Sequence, residues 1–158
     1  NNVKLIWNYP GDLPTIQSDR PKLKRIAENL IANAVKFTEH GSVTISLDYL
    51  TAAKVLELKI ADTGLGMSRE RRGVIFEKFR QLHDAHSVLQ HGGVGLGLYI
   101  VRKYMDILGG EIRVDSEPGK GSTFTMRIPV ALYKQATLHE QLLLPTGIEA
   151  PRGGLESR

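Results

Sequence analysis

Hydrophobic residues in this chain recur at every second position, then at helical spacing, then at every second position again, and the helical stretch returns once before a last pair of alternating segments. A period of two buries one face of a strand, and a period of 3.6 buries one stripe of a helix. The order is therefore that of a sheet with helices laid against it. Val3 to Trp7 and Thr15 to Ser18 alternate on either side of the turn cluster Tyr9-Pro10-Gly11-Asp12, which predicts two short strands paired with each other. Ser18 or Asp19 caps a helix with Pro21 in its first turn, where Leu23, Ile26, Ala27, Leu30, Ala34 and Phe37 follow helical spacing to about Thr38. Ser42 to Leu50 and Val55 to Ala61 make a hairpin across Thr51-Ala52-Ala53-Lys54. From Asp62 to Gly97 the pattern dissolves into glycine and charge, with one short helical piece at Glu70 to Phe79. A second helix from about Leu98 to Leu108 leads into a last hairpin, Glu111 to Asp115 and Ser122 to Val130, around Glu117-Pro118-Gly119-Lys120-Gly121.

This order predicts an α/β (α+β) two-layer sandwich, a mixed, mostly antiparallel sheet covered on one face by helices. With 158 residues and 41% hydrophobic content the chain can bury one core. That core occupies residues 1–130. Beyond Val130 the periodicity decays, and Pro145, Gly147, Pro151 and Gly153-Gly154 predict a linker or flexible tail over 131–158. The absence of cysteine excludes disulfides and thiolate zinc sites. No apolar run approaches the ~20 residues that cross a bilayer. The net charge of +4 is scattered among acids without an aromatic-laced basic stripe, so no nucleic-acid partner is expected.

Three clusters carry chemistry. Asn29, Asn33 and Lys36 stand at i, i+4 and i+7 on one helix face. An asparagine carbonyl is a hard neutral ligand suited to Mg²⁺, and a lysine one turn on can meet phosphate; a solvated helix face is the plainer alternative. Asp62-Thr63-Gly64-Leu65-Gly66 follows an apolar strand directly. A carboxylate there needs a donor, and the exocyclic amine of adenine is one, whereas guanine presents an oxygen; an ordinary Asp-Gly loop is again the alternative. Gly92-Gly93-Val94-Gly95-Leu96-Gly97 runs straight into the second helix, where free backbone N–H groups favour an anion. It is not a Walker loop, since no Gly-Lys-Ser/Thr follows, nor a dinucleotide fingerprint, which needs a strand before it.

Taken together, Asn29 to Thr38 resembles the N box of sensor histidine kinases, Asp62 to Gly66 their first glycine box, Ile75-Phe76-Glu77-Lys78-Phe79 their F box and Gly93 to Leu98 their second glycine box. The resemblance covers about Val3 to Val130 and continues through Gly119-Lys120-Gly121-Ser122-Thr123-Phe124. It implies the Bergerat ATP-binding fold and the catalytic domain of a two-component kinase that transfers the ATP γ-phosphoryl to a histidine. Carried onto this sequence, Asn33 is the implied Mg²⁺ ligand, Asn29 and Lys36 are phosphate-side contacts, Asp62 reads adenine, and Thr123 is its water-mediated partner. Gly64, Gly66, Met67, Gly93, Val94, Gly95, Leu96, Gly97 and Leu98 are the implied pocket wall. Arg80, in the lid from about Met67 to Gly92, is the implied γ-phosphate contact, although many members carry the basic residue where Gln81 falls.

The hydrolytic branch of the superfamily has a glutamate four residues before the magnesium asparagine; here that position is Asn29, which cannot take a proton from water. Glu28 is one position off, turned by ~100°. Phe76 and Phe79 anchor the lid or dock the histidine-bearing helices, or serve as core residues. His83, His86 and His91 lack acidic or thiol company and read as solvated. The phosphoacceptor is expected on a separate dimerisation domain upstream of this chain, and Leu138-His139-Glu140 does not supply it. The resemblance further implies a response regulator as indirect partner, a monomeric fragment of a homodimeric parent, and a cytoplasmic domain of a parent anchored in the inner membrane. The competing readings are a Bergerat-fold ATPase and a nucleotide-sensing module without transfer.

Overall fold

A computed structural model describes residues 2–78 and 96–132. The elements in chain order are β1 (Asn2–Asn8), β2 (Ile16–Gln17), α1 (Arg20–Lys36), β3 (His40–Leu50), β4 (Val55–Asp62), α2 (Arg69–Val74), α3 (Gly97–Ile107), β5 (Glu111–Glu117), β6 (Gly121–Pro129) and β7 (Ala131–Leu132). Five strands form one sheet in the order β1-β3-β4-β6-β5. Only the β1–β3 pair is parallel; β3–β4, β4–β6 and β5–β6 are antiparallel. The expected mixed, mostly antiparallel sheet is what forms.

The expected pairing of the first two strands does not. β1 lies along β3 with Leu5 opposite Val43 and Trp7 opposite Ile45, while β2 pairs with β7, Ile16 opposite Leu132. Pro10 and Pro14 flank the connection and have no N–H to give a ladder, so a hairpin there would be short of donors. The same pairing takes in Ala131 and Leu132; the rest of the expected 131–158 tail lies outside the described residues.

Helix α1 begins at Asp19, whose carboxylate accepts from the Lys22 N–H at 3.0 Å, with proline in the first turn. Its Ile26, Leu30 and Ala34 are buried, as are Val101 and Met105 of α3. They meet one face of the sheet, formed by Val43, Ile45, Ile60, Phe124, Met126, Ile128 and Ile112. In-register rows such as Ile45, Ile60, Phe124 and Val114 show how period-two alternation aligns the buried positions of four strands. The other face is open and polar. There Glu57 is 8% exposed between Lys59 at 2.8 Å and Arg127 at 2.6 Å. Among the described residues the result is two layers, with α1 and α3 on one side of the sheet. No helix among the described residues is long and apolar enough to cross a membrane.

Candidate functional site

The end of β4 is held from three sides. At the C-terminus of α1 the Phe37 carbonyl accepts from the Leu65 N–H at 3.2 Å, and Gly64 lies so close to that carbonyl that a Cβ would stand 2.2 Å from its oxygen. From the β5–β6 turn, the Gly119 N–H reaches the Leu65 carbonyl at 2.7 Å. Gly66 has φ +63° and packs against the Glu117 carbonyl, where any side chain would collide at 1.9 Å. The Asp62 loop is thus clamped by backbone.

Asp62 itself is buried, at 8% exposure, on the helix-facing side of the sheet. Its Oδ1 accepts from the Gly64 N–H at 2.9 Å and from the Ser122 N–H at 3.2 Å. Burial pushes its carboxyl above the ordinary value, and the two backbone donors offset only part of that. Both donors occupy one oxygen. Among the described residues no hydrogen bond goes to the second oxygen, and a buried carboxylate gains most from a partner that brings a hydrogen.

The other wall is made where the two long helices meet. A Cβ on Gly97, the first residue of α3, would lie 2.8 Å from the Asn29 side-chain oxygen, so the N-box asparagine abuts the last glycine of the second glycine box. The Asn29 amide nitrogen donates back to the Arg25 carbonyl at 2.7 Å, which fixes its oxygen toward α3. The first N–H groups of α3 have no intrahelical acceptor, and its N-cap residue Leu96 gives no side-chain bond. Along α1, Asn29 and Phe37 are separated by about 12 Å at 1.5 Å per residue. The C-terminal end of α1 therefore lies beside a buried carboxylate, and about two turns earlier the same helix sets an amide against the start of α3.

Of the residues expected from sequence, Asn29, Asn33, Lys36, Asp62, Gly64, Gly66, Met67, Leu96, Gly97 and Leu98 fall among the described residues. Asn33 and Lys36 are half-buried near the end of α1, with the Lys36 ammonium 5.1 Å from the Phe37 ring centroid. The Met67 N–H donates to Ser116 Oγ at 2.8 Å, and Met67 and Leu98 pack on the core. Arg80, Gln81, Phe79, Gly93, Val94, Gly95 and the lid histidines lie outside the described residues. Phe76 meets Phe124 edge-on at 6.5 Å, so the first F-box aromatic belongs to the core.

Thr123 requires correction. It is in register with Ala61 and Asp115, one residue out of step with Asp62, and alternation turns its side chain to the open face of the sheet. Ser122 is the cross-strand neighbour of Asp62 on the same face, buried, with its hydroxyl 3.0 Å from Ser116 Oγ. Parity alone would have found it: Ser122 shares its face with Phe124, Met126 and Ile128. Glu28 also stays out of the site, since it is exposed and 3.7 Å from Lys24 on the solvent side of α1.

A family model described as histidine kinase-, DNA gyrase B- and HSP90-like ATPase matches residues 18–132. The chain belongs to that family. Signal transduction histidine-protein kinase BarA of Escherichia coli K12 is 39% identical over 134 residues, which is 82% of this chain and 14% of BarA. The chain thus spans about a seventh of the length of that curated relative. Among solved structures, full-length ShkA in complex with AMPPNP aligns with TM-score 0.73 at 34% identity, covering 84% of this chain and 27% of that one. The catalytic domain of histidine kinase ThkA aligns with TM-score 0.67 at 25% identity over 81% of this chain and 79% of that one. The fold is that of histidine kinase catalytic domains, and within the family this chain stands with their ATP-binding domains.

Proposed function

We propose that this domain binds ATP with Mg²⁺ and, when a histidine-bearing dimerisation domain is supplied, transfers the γ-phosphoryl to that histidine. The carrying observation is Asp62: a buried carboxylate with one oxygen locked by two backbone donors and the other left to accept from the adenine 6-amino group. The phosphates would run toward Asn29 and the start of α3, where backbone N–H groups and the helix dipole favour negative charge.

The donor set suits Mg²⁺. Among the described residues no group of three or more His, Asp or Glu side chains is placed to cage a metal. A site built from one amide carbonyl, Asn33, with phosphate oxygens and water completing the shell, is the arrangement this small cation accepts. When bound, the ion neutralises charge on the phosphates. Lys36, one turn on, would add a second positive charge there.

In the transfer, an imidazole nitrogen of the acceptor forms a bond to the γ-phosphorus as the bond from phosphorus to the β-γ bridging oxygen breaks, and ADP leaves with that oxygen. The contribution of this chain is positioning and charge, which suffices for phosphoryl transfer. Asn29 supports kinase over ATPase chemistry, because an amide cannot remove a proton from water and Glu28 faces solvent. The parent is proposed to be a membrane-attached homodimer that passes the phosphoryl group to a response regulator.

The test uses radiolabelled ATP. The domain alone should bind ATP yet release phosphate at a negligible rate, and adding a dimerisation domain from a related kinase should move label onto histidine. Sustained phosphate release by the domain alone would favour the ATPase instead. Asn33→Asp should change the metal dependence of binding more than affinity in chelator; Asn33→Ala changing neither would remove Asn33 from the site.

A further inference from the structure

Ser116, near the end of β5, makes three polar contacts through its hydroxyl. Its Oγ lies 2.8 Å from the Met67 N–H, 2.9 Å from the Gly121 carbonyl and 3.0 Å from the Ser122 hydroxyl, and it is buried. The direction of each bond follows from what the partners can do. A backbone N–H only donates, so Ser116 accepts from Met67. A carbonyl only accepts, so the single Ser116 proton goes to Gly121. The contact to Ser122 can then be a hydrogen bond only if Ser122 is the donor.

That assignment has a consequence beside the base. The only hydroxyl proton of Ser122 is then turned toward Ser116, so in every other direction on the side it shares with Asp62 its hydroxyl presents lone pairs alone. Its cross-strand neighbour Asp62 also presents only lone pairs. On the helix-facing side of the sheet, the Asp62 carboxylate and the Ser122 hydroxyl thus offer acceptors and no spare hydroxyl proton.

We infer that Ser116 is a positioning residue for base selection, fixing Ser122 as an acceptor so that the floor beside Asp62 favours a base edge that carries an amine over one that carries a carbonyl. The inference rests on the adenine reading of Asp62 and adds the residue that keeps the floor single-signed. Without Ser116 the Ser122 hydroxyl is free to rotate and donate to a 6-oxo group.

The experiment measures dissociation constants of the domain for ATP and ITP, which exchange the 6-amino group for a 6-oxo group without the 2-amino group of guanine. The wild-type protein should prefer ATP. Ser116→Ala should weaken ATP binding and narrow the ATP-to-ITP preference by about 2- to 10-fold, the worth of one neutral hydrogen bond. Ser116→Thr, which keeps the hydroxyl, should restore the wild-type ratio. Should Ser116→Ala not fold, Ser116→Cys, nearly isosteric and a weak hydrogen-bonding group, carries the same ratio measurement. A variant that loses affinity for both nucleotides equally, with the ratio unchanged, overturns the inference while leaving the adenine reading intact. A wild-type protein that binds ATP and ITP equally overturns both.

Discussion

Asp62→Asn should move stability and binding in opposite directions. Oδ1 already accepts from two backbone N–H groups, Gly64 and Ser122, so the asparagine must keep its oxygen there and turn its NH₂ to the place of the second carboxylate oxygen. A donor would then face the adenine amine, itself a donor. A hydrogen bond to a charged group contributes ~1.5–3 kcal/mol, so ATP affinity should fall by about 10- to 150-fold. GTP or ITP, with an oxygen at that position, should lose less or gain. The unliganded domain should respond the other way. Because burial raises the Asp62 carboxyl above 3.8, its ionised form opposes folding at neutral pH. That opposition disappears as pH falls through the raised value toward the unfolded one. The variant should therefore melt at or above the wild-type temperature at pH 7, and its advantage should shrink on acidification. Calorimetric titration and thermal melts at pH 7 and pH 4 read both effects. Unchanged ATP affinity, or a variant advantage that grows with acid, would refute the reasoning.

Three further substitutions test the frame around the site. Gly121→Ala places a Cβ 1.9 Å from the Asp62 carbonyl oxygen at φ +86°, and should cost roughly 2–4 kcal/mol in chemical denaturation while abolishing ATP binding. Asp19→Ala removes the α1 cap and should cost ~1 kcal/mol with ATP affinity unchanged, since the cap lies at the far end of α1 from Phe37. Glu57→Gln should cost ~1 kcal/mol at pH 7, because its partners Lys59 and Arg127 are largely exposed. Hydrogen bonds from Lys59 and then Arg127 hold the Glu57 carboxyl below 4.5, so its contribution is present above that pH and lost as pH falls through the lowered value. The Glu57→Gln difference should accordingly shrink in urea denaturation as pH is lowered below 4.5.

Much of this architecture is legible in the sequence because alternation and helical spacing are local. The Ser42 to Ala61 and Glu111 to Val130 hairpins, the Asp19 cap and the two-layer class all follow from patterns within a few residues. What local pattern does not carry is long-range pairing and strand phase. Val3 to Trp7 alternates correctly, but nothing local says that its partner is β3 in parallel and not the segment after the turn. Ile16 likewise waits for Leu132, more than a hundred residues on. The resemblance implies Thr123, but parity counted from Phe124 and Ile60 puts Ser122, not Thr123, on the face of Asp62. The Ser116 contacts could not be read at all, since they join Met67 to the β5–β6 turn through the fold.

Adenine recognition at Asp62, with the phosphates held beside Asn29 and the start of α3, is open to direct measurement. Calorimetric titration of the wild-type domain with ATP and GTP, each with Mg²⁺ and with chelator, tests it most directly. Binding should prefer ATP and strengthen with Mg²⁺. Binding of GTP as tight as ATP, or of neither nucleotide, would contradict it.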